Sequence, residues 1–443
     1  MHRVPQLFIV LALVSLVAGL LFGCLGGVQY LFPEWLKSVL PFSKIRPLHV
    51  TFVLAWIVLA ASGIIYDYLF NHPVSSGTRR IGLIHFFVFL VTGFIIIVCF
   101  FLGIFGGREY FEFPPVLVLP ILTGWILFAI IFFRIFKRDG NRVPVYIWMW
   151  GTGIIFMIFT LTEAHFWLMP YFRNNLVRDM TVQWKSYGAL IGSWNMLVYG
   201  TAAYIMNKIH PNEKTIHGRL PFSLYLLGLV NLLFGWGHHT YIIPAHPWIR
   251  HAAYLISMTE LLILGKMIWD WRKSFVLVIN YRNNIPFYFL YAADIWIILN
   301  LCLAISISVP AINYFTHGTH FTVAHAMGTT VGINTSILLA AVIWLSFNGQ
   351  KNDNIERKTG LLKTGFFTFN ISLLIFWLAL FAMGVERSRW MYGNQQGIFS
   401  ELDLTLRPWY ALFLVSGAGV MTGLLTVVMP ALRMILWKKN EAA

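Results

Sequence analysis

Runs of about twenty apolar residues recur along nearly the whole chain, near positions 8–31, 48–70, 81–105, 115–136, 145–168, 187–207, 220–243, 250–271, 285–309, 321–347, 362–384 and 408–436. Each is long enough to cross the hydrocarbon of a bilayer as one helix. The pattern predicts an all-α membrane protein, one domain over residues 1–443 built as a bundle of about twelve transmembrane helices, with no soluble domain, long linker or repeat. Charged residues make up 11% of the chain, against roughly 25% in soluble domains, so a water-facing surface cannot be covered and lipid must solvate much of it. Aromatic residues, 17% of the chain, suit interfacial belts and packing around flat cofactors.

The net charge of +15 does not point to nucleic acid, because the basic residues are dispersed through the short connections rather than gathered on one stripe. An even number of spans puts both termini on one side. About 21 of the 32 Lys and Arg fall on that side, among them Arg79, Arg80, Arg134, Lys208, Arg219, Lys358 and Lys438. The positive-inside rule therefore predicts cytoplasmic termini. Cys24, Cys99 and Cys302 lie inside apolar runs and form neither a C-x-x-C pair, a c-type haem attachment motif nor a disulfide framework. The first run lacks a clear small-residue cleavage site and reads as a retained helix rather than a signal peptide.

A histidine in hydrocarbon is costly and usually marks function. His49 opens the second run in RPLHVTFVLAW, His238 and His239 adjoin near the end of the seventh in GWGHHTY, and His325 lies in the tenth within HGTHFTVAHAMGTTVG; His85 and His165 are further cases. A lone histidine of this kind is more often a packing or hydrogen-bonding residue. The combination of His49, a double histidine and His-x-Met is what indicates metal chemistry. Neutral imidazole suits both haem iron and a second metal. Helical residues two apart point about 200° away from each other, so His325 and Met327 face opposite sides of their helix. Such a helix can stand between two haems and give an axial ligand to each. His49 is the candidate for the second ligand of the low-spin haem, and the His238–His239 pair for a non-haem metal beside the other.

On these residues the chain resembles the catalytic subunit of haem–copper oxidases, and most closely the large subunit of cytochrome c-dependent nitric oxide reductases. The resemblance spans nearly the whole sequence. It implies the twelve-helix fold in a bacterial cytoplasmic (inner) membrane, a low-spin haem b on His49 and Met327, a high-spin haem b on His325, and non-haem iron, or copper, on His238 and His239. GREYFEFP resembles a reductase segment whose acidic residue binds a calcium ion bridging haem propionates; the matching positions are Arg108, Glu109 and Glu112, with Glu109 first as the metal contact. SMTEL matches a helix that carries a buried glutamate near the non-haem metal, which implies Glu260. A membrane-anchored c-type cytochrome is the implied electron donor, and nitric oxide, or dioxygen, the implied substrate. The lack of an extra amino-terminal domain is similar to the cytochrome c-fed branch rather than the quinol-fed one.

Two departures stand out. The family carries His-x-His in the tenth helix, and here the second member is Met327; a thioether can ligate haem iron, and a His/Met pair raises the potential over bis-His. In the sixth helix the reductases place a third histidine for the metal and a glutamate four residues on. This chain reads SWNMLVYG, with Asn195 and Tyr199 at those positions. An amide oxygen is a poor ligand for such a metal, so the site is left with His238 and His239, completed by Glu260, water or Asn195. Glu163 and His165, on one side of the fifth helix end, are candidate substitutes, though a structural or interfacial role suits them better. Tyr199 sits four residues after Asn195 on the same face; it either supplies a proton and an electron, as in oxygen-reducing relatives, or fills the site and hydrogen-bonds Asn195.

The implied reaction is reductive coupling of nitric oxide, with Glu260 delivering protons or ligating the metal. With no chain of acids leading in from the cytoplasmic side, protons are expected to enter past Glu109 and Glu112, without pumping. Three rival readings stand beside it: nitric oxide dismutation, motivated by Asn195 and Tyr199; oxygen reduction; and a cofactor-free proton or ion path through intramembrane His, Glu and Asp294.

Overall fold

A computed structural model describes residues 2–136, 143–211, 216–241, 243–244, 246–256, 285–347, 352–393 and 398–437. Long helices carry most of them: α1 (Arg3–Leu31), α2 (Phe42–Phe70), α3 (Ser76–Leu102), α4 (Val118–Phe136), α5 (Val145–Glu163), α6 (Leu176–Ile209), α7 (Arg219–Phe234), α8 (Ile285–Ser308), α9 (His320–Phe347), α10 (Asn352–Tyr392) and α11 (Phe399–Trp437). Among the described residues, ten helical spans are long and apolar enough to cross a membrane. The remaining long helix, α6, is more polar at its start but contains the apolar run expected near 187–207. The run expected near 250–271, with Glu260, lies outside the described residues beyond Ile256.

α1 lies along α2 and α10 along α11. The first contact is close because Gly63 carries no side chain: a Cβ there would stand 2.7 Å from Ile9 Cγ1 and 3.2 Å from the Ile9 nitrogen. Small residues at such crossings let backbones approach where lipid provides no hydrophobic drive. Four buried hydroxyls are satisfied locally. Ser15, Thr92, Ser193 and Ser346 each donate to the carbonyl four residues back, which removes the cost of an unpaired polar group in a dry core.

Two helices depart from regular geometry beside predicted ligands. The seventh span is α-helical only to Phe234 and continues as a 3-10 turn over Gly235–Thr240, which contains His238 and His239. Gly235 and Gly237 weaken the α-helix there. α9 is α-helical over His320–Met327, a π-helix over Gly328–Thr335, and α-helical again over Ser336–Phe347. Gly328 and Gly332 bring this widened turn against α8, where an added Cβ would strike Asn300 and the Trp296 ring. Asn300 Nδ2 donates to Thr329 Oγ1 at 2.7 Å across the same contact.

The connections at one end of the bundle are tied together. Lys44 Nζ at the start of α2 donates to the Phe101 carbonyl at 2.8 Å, and Ser388 Oγ on α10 donates to the Phe315 carbonyl at 2.9 Å. This end gathers the starts of α2, α6 and α9 and the ends of α3, α5 and α7.

Candidate functional site

His49 lies in the second turn of α2, half-buried. Its Nδ1 is 2.8 Å from the carbonyl oxygen of Gly19 on α1. A carbonyl only accepts, so Nδ1 carries the proton and donates, which leaves the Nε2 lone pair free for a metal. Room for the ring comes from Gly23, where a Cβ would stand 2.9 Å from both Cε1 and Nδ1.

α2 packs on the Ser336–Phe347 part of α9 rather than on His320–Met327, and Trp56 Nε1 donates to Thr335 Oγ1 at 3.1 Å. Both helices start at the tied end. His49 precedes Trp56 by seven residues and Met327 precedes Thr335 by eight, so both lie on the tied-end side of that contact. Met327 is half-buried against the core.

The structure sets two of the predicted ligands side by side and a third within electrostatic reach of them. The rings of His238 and His239 are 4.2 Å apart at 42°, and His325 lies close enough to act electrostatically on both. Nδ1 of His238 and Nδ1 of His325 are buried without a hydrogen-bond partner. Trp184 of α6 stacks on His239, 5.6 Å between centroids and 9° between planes, and meets His317 edge-on at 6.4 Å. Burial holds the His317 imidazole below its ordinary value. Among the described residues no group of three or more His, Cys, Asp or Glu could hold a metal ion.

Asn195 Oδ1, the atom that would face a metal, accepts a hydrogen bond from Asn334 Nδ2 in the π-helical segment at 3.3 Å. Tyr199 is half-buried and packs beside Val145, Met149, Met196 and Leu232. Glu163 is ion-paired with Lys185, and His165 Nδ1 is 2.8 Å from the Leu161 carbonyl, which suits packing roles for both. His85 is fully buried and meets the Tyr66 hydroxyl at 2.8 Å, within an aromatic cage that includes Phe8, Phe89 and Phe128. Asp294 is buried in α8.

Above His49, the loop between α3 and α4 is a fixed platform. The amides of Gly106 and Gly107 both donate to the Glu112 carbonyl, at 3.1 and 3.3 Å, and Phe111 N donates to the Arg108 carbonyl at 2.8 Å. Tyr110 sits at φ 68°, a left-handed conformation uncommon outside glycine. That turn presents both flanking carboxylates to Arg46 of α2: NH2 is 2.7 Å from Glu109 Oε1 and NH1 is 2.9 Å from Glu112 Oε1. Arg108 turns the other way, 2.8 Å from Asp179 Oδ2 on α6, over the Trp167 ring. Burial raises the Glu112 carboxyl from its ordinary value, against the lowering effects of a backbone hydrogen bond and of Arg46.

Sequence reasoning missed Arg46, Trp184 and Asn334. Arg46 alone had a signal, since it is one turn before His49; the other two are contacts between distant helices. For a haem the residues fit: His49 is oriented by Gly19 with Nε2 free, Met327 lies on the same side of the Trp56–Thr335 contact as His49, and His325 keeps an unpaired buried nitrogen. For the non-haem metal, His238 and His239 provide a pair, and Glu260 lies outside the described residues.

The model of the family described as cytochrome c and quinol oxidase polypeptide I matches residues 3–434. A nitric oxide reductase subunit of Stutzerimonas stutzeri is 23% identical over 415 residues, 87% of this chain and 84% of that protein. A cytochrome c oxidase subunit 1 homolog of Agrobacterium tumefaciens (strain T37) is 22% identical over 465 residues, 96% of this chain and 82% of its own length. Among solved structures, a haem–copper terminal oxidase dimer seen by cryo-electron microscopy superposes with TM-score 0.71 at 13% identity, over 98% of this chain and 85% of that one.

Proposed function

The chain belongs to the cytochrome c and quinol oxidase polypeptide I family, oxidoreductases of the haem–copper superfamily, and from that premise we propose that it reduces nitric oxide to nitrous oxide. In this reading it is a twelve-helix subunit of the bacterial cytoplasmic membrane, with both termini cytoplasmic and a membrane-anchored c-type cytochrome as its donor. The observation that carries the reading is the His238–His239 pair, rings 4.2 Å apart, with His325 within electrostatic reach of both.

His49 and Met327 hold a low-spin haem b, His325 a high-spin haem b, and His238 with His239 a non-haem iron or copper. When bound, these groups supply electron transfer and the binding of nitric oxide. The residues around them do the rest. The Gly19 carbonyl fixes the tautomer and aim of His49. Trp184 stacks on His239 and restricts its ring. Asn195 and Tyr199 shape the pocket wall, and Glu260 delivers protons to it. Coupling joins two nitric oxide molecules with two electrons and two protons and yields nitrous oxide and water.

One observation favours a second reading, dismutation to nitrogen and oxygen: Asn195, at the position of a metal-binding histidine, is bonded to Asn334. The purified protein tests both. A reduced-minus-oxidised spectrum shows two haems or ends every redox reading. Anaerobic turnover with reduced cytochrome c then separates the reactions. Nitrous oxide with donor oxidation supports reduction, and oxygen release without donor oxidation supports dismutation. Oxygen uptake as the sole activity would make the chain a terminal oxidase.

A further inference from the structure

The resemblance that suggests a haem enzyme also implies a calcium ion on Glu109 and Glu112. The residues here do not fit one. The Arg46 guanidinium stands between those two carboxylates and bonds one oxygen of each, at 2.7 and 2.9 Å. A divalent ion bridging the same oxygens would be forced against a charge that cannot be removed, since arginine does not deprotonate in proteins. The two-pronged guanidinium suits this geometry, because separate N–H groups reach separate carboxylates, which a lysine ammonium does less well.

The surroundings agree. Arg46 and Arg108 face Glu109, Glu112 and Asp179, so the cluster is one negative charge from neutral when all three carboxylates are ionised. A calcium ion would add two positive charges to a cluster that side chains already bring within one charge of neutral, and would leave it positive. The platform is also shaped for this pairing: Tyr110 at φ 68° turns Glu109 and Glu112 to the same side, toward α2. Gly107 permits the tight closure, since a Cβ there would strike the Phe111 and Phe113 carbonyl oxygens.

We propose that Arg46 is the resident cation of this site, so that the protein joins the α3–α4 loop to α2 one turn above His49 without calcium. The inference is independent of the proposed reaction and is read by metal content and unfolding, whether or not the protein turns over nitric oxide. Protein purified in detergent without chelator is measured for calcium by elemental analysis and for melting temperature with EGTA or excess calcium chloride. Sub-stoichiometric calcium and a melting temperature that neither reagent moves are expected. In Arg46→Gln the two carboxylates face each other uncompensated; a lower melting temperature that calcium chloride restores, with calcium now retained, is expected. One calcium per wild-type chain, removed by EGTA with a fall in melting temperature, overturns the proposal. Should Arg46→Gln fail to fold, the wild-type measurement decides alone.

Discussion

A Cβ at Gly23 would stand 2.9 Å from two ring atoms of His49, so the glycine sets where that imidazole can lie. The ring fills the space against α1 and reaches the Gly19 carbonyl at 2.8 Å. Gly23→Ala must turn the ring or part the helices. Either change costs about 1–3 kcal/mol, as overpacking does, and breaks a bond worth about 1 kcal/mol. The expected result is a folded, helical protein with a weakened low-spin haem band. An unchanged haem spectrum in Gly23→Ala would show that the ring has no such constraint.

His49→Ala and His325→Ala separate the two haem sites. The first is expected to lose the low-spin haem and keep the other, and the second to do the reverse. Haem-to-protein ratio and carbon monoxide difference spectra read the two losses. A variant that keeps both haems overturns the assignment for its residue.

Most of the fold was legible because span length is a composition property, set by bilayer thickness and readable without neighbours. His49, His325 and the His238–His239 pair stood out as candidates because an imidazole within an apolar run is conspicuous. What escaped depends on contacts between helices far apart in sequence. The π-helix after Met327 follows from Gly328 and Gly332 meeting Asn300 and Trp296, and no local pattern signals it. The 3-10 turn over His238 and His239 had a cue in GWG, but apolar length alone reads the run as one helix. Asn195 could be weighed against Tyr199 on its own helix, while its partner Asn334 is 139 residues away.

Met327→His tests the thioether ligand. If Met327 binds the low-spin haem, the variant becomes bis-His, and its midpoint potential is expected to fall, because a Met ligand raises the potential over His. Spectroelectrochemical titration measures it, and the methionine-to-iron charge-transfer absorption in the near infrared should vanish. A potential and near-infrared spectrum unaltered by the substitution would place Met327 in the packing alone.

Asn195→His restores the third imidazole that the resemblance implies. The substitution gives up the Asn334 bond, about 1 kcal/mol, and adds a stronger ligand for a borderline metal. Higher non-haem iron per chain by elemental analysis is expected, along with faster nitrous oxide formation. Unchanged metal content would mean that residue 195 does not face the His238–His239 pair.

Glu112 predicts a pH dependence of stability with a definite sign. Burial raises its carboxyl, with Glu109 adding to the rise and Arg46 opposing it, so the folded protein holds this proton more tightly than the unfolded chain. Folding then takes up a proton as pH rises past the ordinary carboxylate value of about 4.3. The stabilisation is fully present below that value and is lost as pH climbs through the raised folded value. Glu112→Gln keeps an oxygen for the Arg46 NH1 donor, now 2.9 Å from Glu112 Oε1, and has no proton to lose. Subtracting the melting curves of the two proteins cancels the other titrating groups. The variant is expected to gain on the wild type as pH rises through that window and to run parallel to it on either side. A difference that grows as pH falls would mean that Arg46 outweighs burial and that Glu112 is held ionised.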